Sequence, residues 1–311
     1  MEKKEEFSRS ERPDFLGEKH EIKATLPSHA AQARTTSELI RGSNIPLYMN
    51  NALVEQPRAA VILTHGIGSH SGRNSGLAEW FNRERISVFA FDLPGHGRTR
   101  TTKWLFDDFQ NLTEALHQIY QNAIEYCEIR DVPLFLFGHS MGGLITLDFV
   151  IQFQPRVAGV ILSAPALDPG DIVKPWMIRL AGQLRKWFPG LPILKIPPTQ
   201  LSRDVTVVED YQKDPLVFQG RIKVATGYEM LTRMQYAMEN AVSITHPVLI
   251  VQGKADKIVR PDVTGRFFDL LGSRDKTLKL YPEMYHELLK DHGKERVFHD
   301  LLAWLEEHIQ E

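Results

Sequence analysis

Short apolar runs alternate with longer amphipathic stretches along most of this chain. A continuous apolar run between turn residues is typical of a strand buried on both faces, and an apolar residue at every third or fourth position is typical of a helix. The pattern predicts eight strands, over Ser37–Arg41, Ile45–Asn50, Ala59–Thr64, Ile86–Phe91, Leu134–Phe137, Val157–Ser163, Val248–Gln252 and Thr277–Tyr281. It predicts helices between the later strands, over Gly76–Glu84, Phe106–Cys127, Gly142–Gln152, Val263–Leu271 and Glu295–Ile309.

The order of these elements predicts the fold class. The first two strands flank Gly42-Ser43-Asn44, which has the composition of a turn, and we expect them to pair antiparallel. The other strands alternate with helices, which favours a parallel sheet covered on both faces. The sequence therefore predicts an α/β protein with a mostly parallel, eight-stranded sheet.

The alternation is interrupted between Asp168 and about Thr245. This stretch contains helical patterns over Trp176–Phe188 and Ala225–Met238, a proline-rich segment between them, and no clear strand. An insertion after a strand of an α/β sheet lies over the carboxyl ends of the strands, where ligands bind. The predicted organisation is a charged tail over residues 1–30, a core over 31–168, a helical cap over 169–244 and the rest of the core over 245–311.

The composition limits the classes of partner that the protein is expected to bind and the compartment in which it is expected to reside. Lys and Arg number 37 and Asp and Glu number 39, so the net charge of -2 gives no bulk attraction to nucleic acid, and no nucleic-acid partner is expected. The single cysteine, Cys127, excludes an intramolecular disulfide. The charged N-terminus lacks the apolar segment of a secretory signal, and no apolar run of about 18 residues predicts a membrane span. We expect a cytoplasmic protein and leave a peripheral membrane contact open.

The richest chemical signal is Gly138-His139-Ser140-Met141-Gly142, which directly follows a predicted buried strand and precedes a predicted helix. In that setting Gly-x-Ser-x-Gly is typical of a nucleophile elbow, a sharp turn that presents a serine hydroxyl to a pocket. The two glycines are expected because the backbone packs too closely there for a Cβ. The alternative is a glycine-rich turn whose serine only caps the helix.

A serine nucleophile needs a base, and the base needs an orienting acid, in the chain order serine, acid, histidine for this kind of turn. Asp256 follows the strand that ends at Gln252, and we predict that it is the acid, with Asp262 as the lesser candidate. His286 is the first histidine after the last predicted strand, and we predict that it is the base.

The tetrahedral intermediate of acyl transfer needs backbone N–H donors for its oxyanion. One donor is expected from Met141, the residue after the serine. The other is expected from Ile67, in the loop after the strand that ends at Thr64. His65 in this loop is expected to be a structural hydrogen-bond partner.

Several motifs carry a family resemblance that runs from about Ser37 to the C-terminus. They are His65–Arg73, Gly95–Gly97, Gly138–Gly143 and Tyr285–Glu287, together with Leu201–Asp204 and Asp214–Leu216 in the insertion and Asp275–Lys279 after it. In order and spacing they resemble the monoacylglycerol lipases, which belong to a branch of serine hydrolases that also contains lysophospholipase-like proteins.

This resemblance implies an α/β-hydrolase fold with a helical cap, and neither a metal nor an organic cofactor. By motif matching it implies Ser140 as nucleophile, Asp256 as acid, His286 as base, and Ile67 and Met141 as oxyanion donors. These are the same residues that the order of the strands selects.

The resemblance also suggests residues that bind the substrate. Where the family commonly has an acidic residue after His-Gly-x-Gly, this chain has Ser69, whose hydroxyl holds a diol less strongly than a carboxylate. Arg73 matches the family arginine, and Tyr211 is expected to present its hydroxyl near the leaving alcohol.

The first cap helix is expected to face lipid. Residues 172–188 place apolar side chains at helical spacing beside a basic face, and tryptophans add to the apolar side. We expect Trp176 and Leu180 to contact the acyl chain, and the helix to touch lipid aggregates. The alternative is that the apolar stripe docks on the core.

The sequence therefore predicts a serine ester hydrolase that cleaves monoacylglycerols to fatty acid and glycerol through an acyl-enzyme. A lysophospholipase or a broad carboxylesterase is the alternative within enzymes. A non-catalytic ligand receptor on the same fold is the alternative outside them.

Overall fold

A computed structural model describes residues 34–40, 46–99, 106–168 and 175–309, so the predicted tail and the Gly42-Ser43-Asn44 turn lie outside the described residues. The strands are β1 Arg34–Ile40, β2 Leu47–Leu53, β3 Ala59–Thr64, β4 Ile86–Ala90, β5 Leu134–His139, β6 Gly159–Ser163, β7 Pro192–Leu194, β8 Ile222–Lys223, β9 Val248–Gly253 and β10 Lys276–Tyr281. The helices are α1 Ser75–Arg83, α2 Gln110–Arg130, α3 Met141–Phe153, α4 Pro175–Trp187, α5 Val205–Lys213, α6 Val224–Glu239, α7 Pro261–Leu270 and α8 Lys294–Ile309.

One sheet organises the described chain. Its eight strands lie in the order β1-β2-β4-β3-β5-β6-β9-β10. Strand β2 pairs antiparallel with β1 and β4, and every other neighbouring pair is parallel. The predicted mostly parallel sheet and the predicted antiparallel opening pair are both confirmed.

Strand β3 shows why the central strands are continuously apolar. All six of its residues are buried, because helices cover both faces of the sheet. Val61 and Leu63 pack into the cluster that contains side chains of α1 and α8. Ala60 and Ile62 point the other way, into the cluster built with α2, α3 and α7.

The cap, defined here as residues 175–244, corrects one expectation. Helices α4 and α6 lie where helices were predicted, but the stretch also contains the antiparallel pair β7–β8 and the helix α5, neither of which was predicted. The expectation of no strand was wrong because these strands are only three and two residues long, and the prolines around β7 hide it in the sequence.

The cap contacts the loops at the carboxyl ends of the strands. The N–H of Phe218 donates to the carbonyl of Gly68, in the loop after β3, at 2.8 Å. His70 in that loop lies 2.8 Å from the carboxylate of Asp214. The N–H of Glu287, after β10, donates to the cap carbonyl of Leu201 at 2.7 Å. Within the described residues, no helix combines the length and the apolarity that crossing a membrane requires.

Candidate active site

Ser140 stands at the sharp turn between β5 and α3, with φ 54° and ψ -120°. The positive φ is unusual for a residue with a side chain, and it turns the hydroxyl out of the strand direction. A Cβ on Gly138 would lie 2.5 Å from the carbonyl oxygen of Gly142, and one on Gly142 would lie 2.1 Å from the carbonyl oxygen of Thr64. The expected close approach of the backbone at both glycines is therefore confirmed.

The structure brings together the three side chains that were predicted as nucleophile, base and acid. The hydroxyl of Ser140 donates to Nε2 of His286 at 2.8 Å. The opposite ring nitrogen, Nδ1, donates to Oδ2 of Asp256, also at 2.8 Å. All three side chains are buried, so little water competes for these bonds.

The carboxylate of Asp256 is held by more than the histidine. Its Oδ1 accepts the backbone N–H groups of Ile258 at 2.8 Å and Val259 at 3.0 Å, and the side-chain amide of Gln252 donates to Oδ2 at 3.0 Å. Burial favours a raised pKa of Asp256, but the charge and hydrogen bond of His286 and these N–H groups lower it below its usual value. The carboxylate is therefore charged and fixed in direction.

His286 has the complementary shift. Its burial favours a lowered pKa, but the charge of Asp256 and the hydrogen bond to it raise the pKa above its usual value of 6.5. A more basic imidazole accepts the serine proton more readily. Asp262, the lesser candidate for the acid, lies in the first turn of α7 with its side chain 63% exposed and paired with Arg260.

The loop after β3 lies against the serine. A Cβ on Gly66 would lie 3.2 Å from the Cβ of Ser140. His65 fixes this loop, because its Nδ1 lies 2.8 Å from the carbonyl of Gly66 and its Nε2 accepts the N–H of Leu93 at 3.0 Å. Burial lowers the pKa of His65 to about 3, so it is a neutral hydrogen-bond partner, as expected.

The two amides predicted to bind an oxyanion flank this turn. Met141 is the first residue of α3, so its N–H has no acceptor within the helix. In the part of the chain that the structure describes, no protein group accepts a hydrogen bond from the N–H of Ile67 or of Met141. Both amides are thus available to donate to an oxygen atom of a bound ligand.

Arg73 joins the loop after β3 to the loop after β10. Its side chain is 8% exposed, its guanidinium lies 3.6 Å from the carboxylate of Glu287, and it stacks over the ring of Tyr211 at 4.9 Å. Lys290 pairs with the same carboxylate at 2.7 Å. Burial favours a raised pKa of Glu287, but Lys290 and Arg73 lower it to about 2.

Two residues beside the base had no predicted role. The ring of His139 packs 4.9 Å from the ring of His286, and its Nδ1 lies 3.1 Å from the carbonyl of Ser163. Burial lowers the pKa of His139 to about 3, so a neutral ring covers the base. Glu287 is the other. Their adjacency in sequence to Ser140 and His286 was the available signal.

A narrow groove separates the loop after β3 from the cap. Its lining includes Ile67, Gly68, Tyr211, Phe218, Pro198 and Ile222. Burial raises the pKa of Tyr211 to about 12, so its hydroxyl stays protonated. Ser69 is half-buried next to Gly68.

The two cap residues predicted to contact an acyl chain lie elsewhere. Trp176 is 64% exposed and Leu180 is 47% exposed on α4, and neither lines this groove. The structure therefore brings Tyr211 together with Gly68 in the loop after β3, and leaves these two side chains exposed on the cap.

Comparison with known proteins gives concordant matches. The family model described as "Serine aminopeptidase, S33" matches residues 55–293. A monoacylglycerol lipase of Mycolicibacterium smegmatis is 29% identical over 253 residues, which cover 81% of this chain and 90% of that protein. The human monoglyceride lipase is 31% identical and matches 80% of this chain and 82% of its own length. The crystal structure of a Paleococcus ferrophilus monoacylglycerol lipase superposes with a TM-score of 0.75 at 32% identity, over 84% of this chain and 99% of that one.

Proposed function

Since the chain belongs to the serine aminopeptidase S33 family of α/β-hydrolases, we propose that it hydrolyses monoacylglycerols to a fatty acid and glycerol. The observation that carries the proposal is the buried hydrogen-bonded series from Ser140 through His286 to Asp256, with 2.8 Å at each step. The relatives named monoacylglycerol and monoglyceride lipases support the substrate class.

In the first half-reaction, Oγ of Ser140 attacks the ester carbonyl while Nε2 of His286 takes its proton. The carbonyl oxygen gains the negative charge, which the N–H groups of Ile67 and Met141 stabilise. His286 then gives the proton to the glycerol oxygen as the carbon–oxygen bond breaks. The products of this step are free glycerol and an acyl group on Ser140.

In the second half-reaction, water replaces the alcohol. His286 takes a proton from the water, whose oxygen attacks the acyl carbon, and then returns the proton to Oγ of Ser140 as the fatty acid leaves. Asp256 keeps the proton on Nδ1, so that Nε2 is the accepting nitrogen, and it stabilises the imidazolium formed in each half.

The narrow groove between the loop after β3 and the cap supports an alcohol of small size. Tyr211 places a protonated hydroxyl there, and Ser69 offers a second hydroxyl next to Gly68. Lys195 lines the same groove and is able to pair with a phosphate. The choice of a glycerol ester over a lysophospholipid therefore rests on the relatives named monoacylglycerol and monoglyceride lipases.

Fatty-acid release tests the proposal. Wild type and Ser140→Ala are incubated with a monoacylglycerol, a lysophospholipid of the same chain length, and a short soluble ester. We expect release by wild type alone, fastest from the monoacylglycerol. Preference for the lysophospholipid would reject the substrate class and keep the mechanism, whereas failure with all three esters would favour a receptor.

We propose further that the cap docks on lipid. Trp187 is 79% exposed, Phe188 61%, Leu191 43% and Ile193 45%, and they follow one another at the end of α4 and into β7. Lys186 beside them is exposed as well. Contiguous apolar side chains with a basic neighbour bind the interface of a bilayer.

A further inference from the structure

We propose that a cavity between α1 and α8, behind His139, binds an amphiphilic carboxylate, a molecule with one anionic head and an apolar chain. Its volume is about 350 Å³, within the range of small-molecule sites. Its lining contains neither Ser140 nor the predicted oxyanion residues. The proposal goes beyond the reaction at Ser140 and does not depend on it.

Apolar side chains form most of one wall. Leu77 and Trp80 come from α1, Phe298 comes from α8, and Leu288 and Leu289 come from the loop before α8. Trp80 and Phe298 stack on each other with ring centroids 4.9 Å apart, which fixes the two rings in this wall. An apolar chain laid on it would lose contact with water.

The polar part of the lining carries an excess of positive charge. Arg73, Arg83, Lys290 and Lys294 line the cavity with Glu287 as the acidic residue. Glu287 pairs with Lys290 and with one terminal nitrogen of Arg73. Among the described residues, no carboxylate pairs with Arg83 or Lys294, whose side chains are exposed at the edge.

Arg73 adds a buried positive charge to the lining. Its side chain is only 8% exposed, and its Nε, which has no hydrogen-bond partner within the described residues, is closed to water. A ligand in the cavity therefore does not bond to Nε, and the guanidinium acts through its charge. Together with Arg83 and Lys294, this charge attracts a carboxylate.

The inner end of the cavity approaches the candidate active site without entering it. His139 and Ser163 line that end, and the ring of His139 stands between the cavity and His286. His139 is neutral and donates to the carbonyl of Ser163, so it neither attracts nor repels a carboxylate.

The test uses octanoate as probe and Ser140→Ala as the protein, so that hydrolysis plays no part. Isothermal titration is made with octanoate and with octanol, which has the same chain without the charge. We expect octanoate to bind saturably and octanol to bind at least tenfold more weakly.

The charge requirement is tested by adding Arg83→Gln and Lys294→Gln to Ser140→Ala, which should weaken octanoate binding at least tenfold. The matched control adds Arg274→Gln and Lys213→Gln to Ser140→Ala instead, which removes the same charges from exposed positions elsewhere. This control should bind octanoate as tightly as Ser140→Ala does.

A photoreactive fatty carboxylate locates the site without relying on the variants. We expect cross-links on peptides from α1 and from residues 288–298. Octanoate binding that is absent, equal to that of octanol, or unchanged in the double variant would overturn the proposal. Cross-links confined to the cap or to the groove at Tyr211 would overturn it too, because the carboxylate would then occupy only an acyl site of the proposed reaction.

Discussion

The charge of Asp256 sets the basicity of His286. The buried carboxylate lies 2.8 Å from Nδ1 and raises the pKa of the histidine, although burial by itself acts in the opposite direction. A general base must be neutral when it accepts a proton, so the proposed hydrolysis should fall as the pH falls through this raised pKa. The acid limb of the pH–rate profile should therefore report the strength of this one contact.

Replacing Asp256 by Asn tests that contact. The variant loses the negative charge, so the pKa of His286 falls and the acid limb of kcat/KM moves to lower pH. The maximal rate should fall by roughly 10⁴-fold, because Asn no longer holds the histidine in the tautomer that accepts the serine proton. The measurement is ester hydrolysis across pH 4 to 9, with Asp262→Asn as the matched control, which should keep the wild-type profile. An acid limb at its original pH in Asp256→Asn would contradict this assignment.

The residues of the site differ in how far the sequence could predict them. Ser140 is recognisable because the strand, the turn and the glycines are neighbours in sequence. Asp256 and His286 follow from where strands end. The ion pair of Arg73 with Glu287 could not be predicted, because two loops far apart in the chain create it.

At the scale of elements, burial decided what the sequence could predict. Strand β3 was predicted with correct ends because all its side chains are buried, which makes its apolar run unbroken. Strand β7 and helix α5 were missed because each buries little of its surface, so no hydrophobic period is imposed on their residues. The cap is therefore the part of the fold that the hydrophobic pattern of the sequence predicts least well.

The proposed docking of the cap makes a prediction about α4 and the turn after it. Trp187→Ser with Leu191→Ser should weaken binding to phosphatidylcholine vesicles about tenfold or more, because two exposed apolar side chains no longer enter the interface. Vesicle sedimentation measures this, and hydrolysis of a short soluble ester should stay near wild type. The control is Ile129→Ser on α2, an apolar side chain that is 73% exposed outside the cap.

Two outcomes would count against the docking role. If the cap variant and Ile129→Ser bound vesicles equally well, the apolar side chains of the cap would contribute no more to the contact than an exposed apolar side chain elsewhere. Equal loss of vesicle binding and of short-ester hydrolysis would indicate a damaged fold.

For the whole molecule, the order of the elements was sufficient to predict the sheet, since strands alternating with helices allow few arrangements. The order of the elements was not sufficient to predict the contacts between the cap and the core. The contacts of Phe218 with Gly68 and of His70 with Asp214 join segments distant in sequence, and no local pattern encodes them.

The buried carboxylate of Glu287, which pairs with Arg73 and Lys290, makes the free energy of unfolding depend on pH. Its pKa of about 2 in the folded chain lies below its usual 4.5, so its stabilising contribution is complete above pH 4.5 and is lost as the pH falls toward 2. Glu287→Gln leaves Arg73 and Lys290 without their partner, and we expect it to lower the free energy of unfolding at pH 7 by about 3 kcal/mol.

Urea unfolding at a series of pH values measures this effect. The difference between wild type and Glu287→Gln should shrink as the pH falls from 4.5 toward 2. Glu79→Gln, at an exposed position of α1, should match wild type throughout. If Glu287→Gln were as stable as Glu79→Gln at pH 7, the ion pairs of Glu287 would not stabilise the fold.

If Ser140 is a nucleophile activated by His286, it reacts covalently with an electrophilic phosphorus reagent. The protein is treated with a fluorophosphonate probe, and the adduct is located by peptide mass spectrometry. We expect a single adduct on Ser140 in wild type, none in Ser140→Ala, and much slower labelling of His286→Ala. Absence of an adduct from folded wild type, or an adduct on another residue, would contradict it.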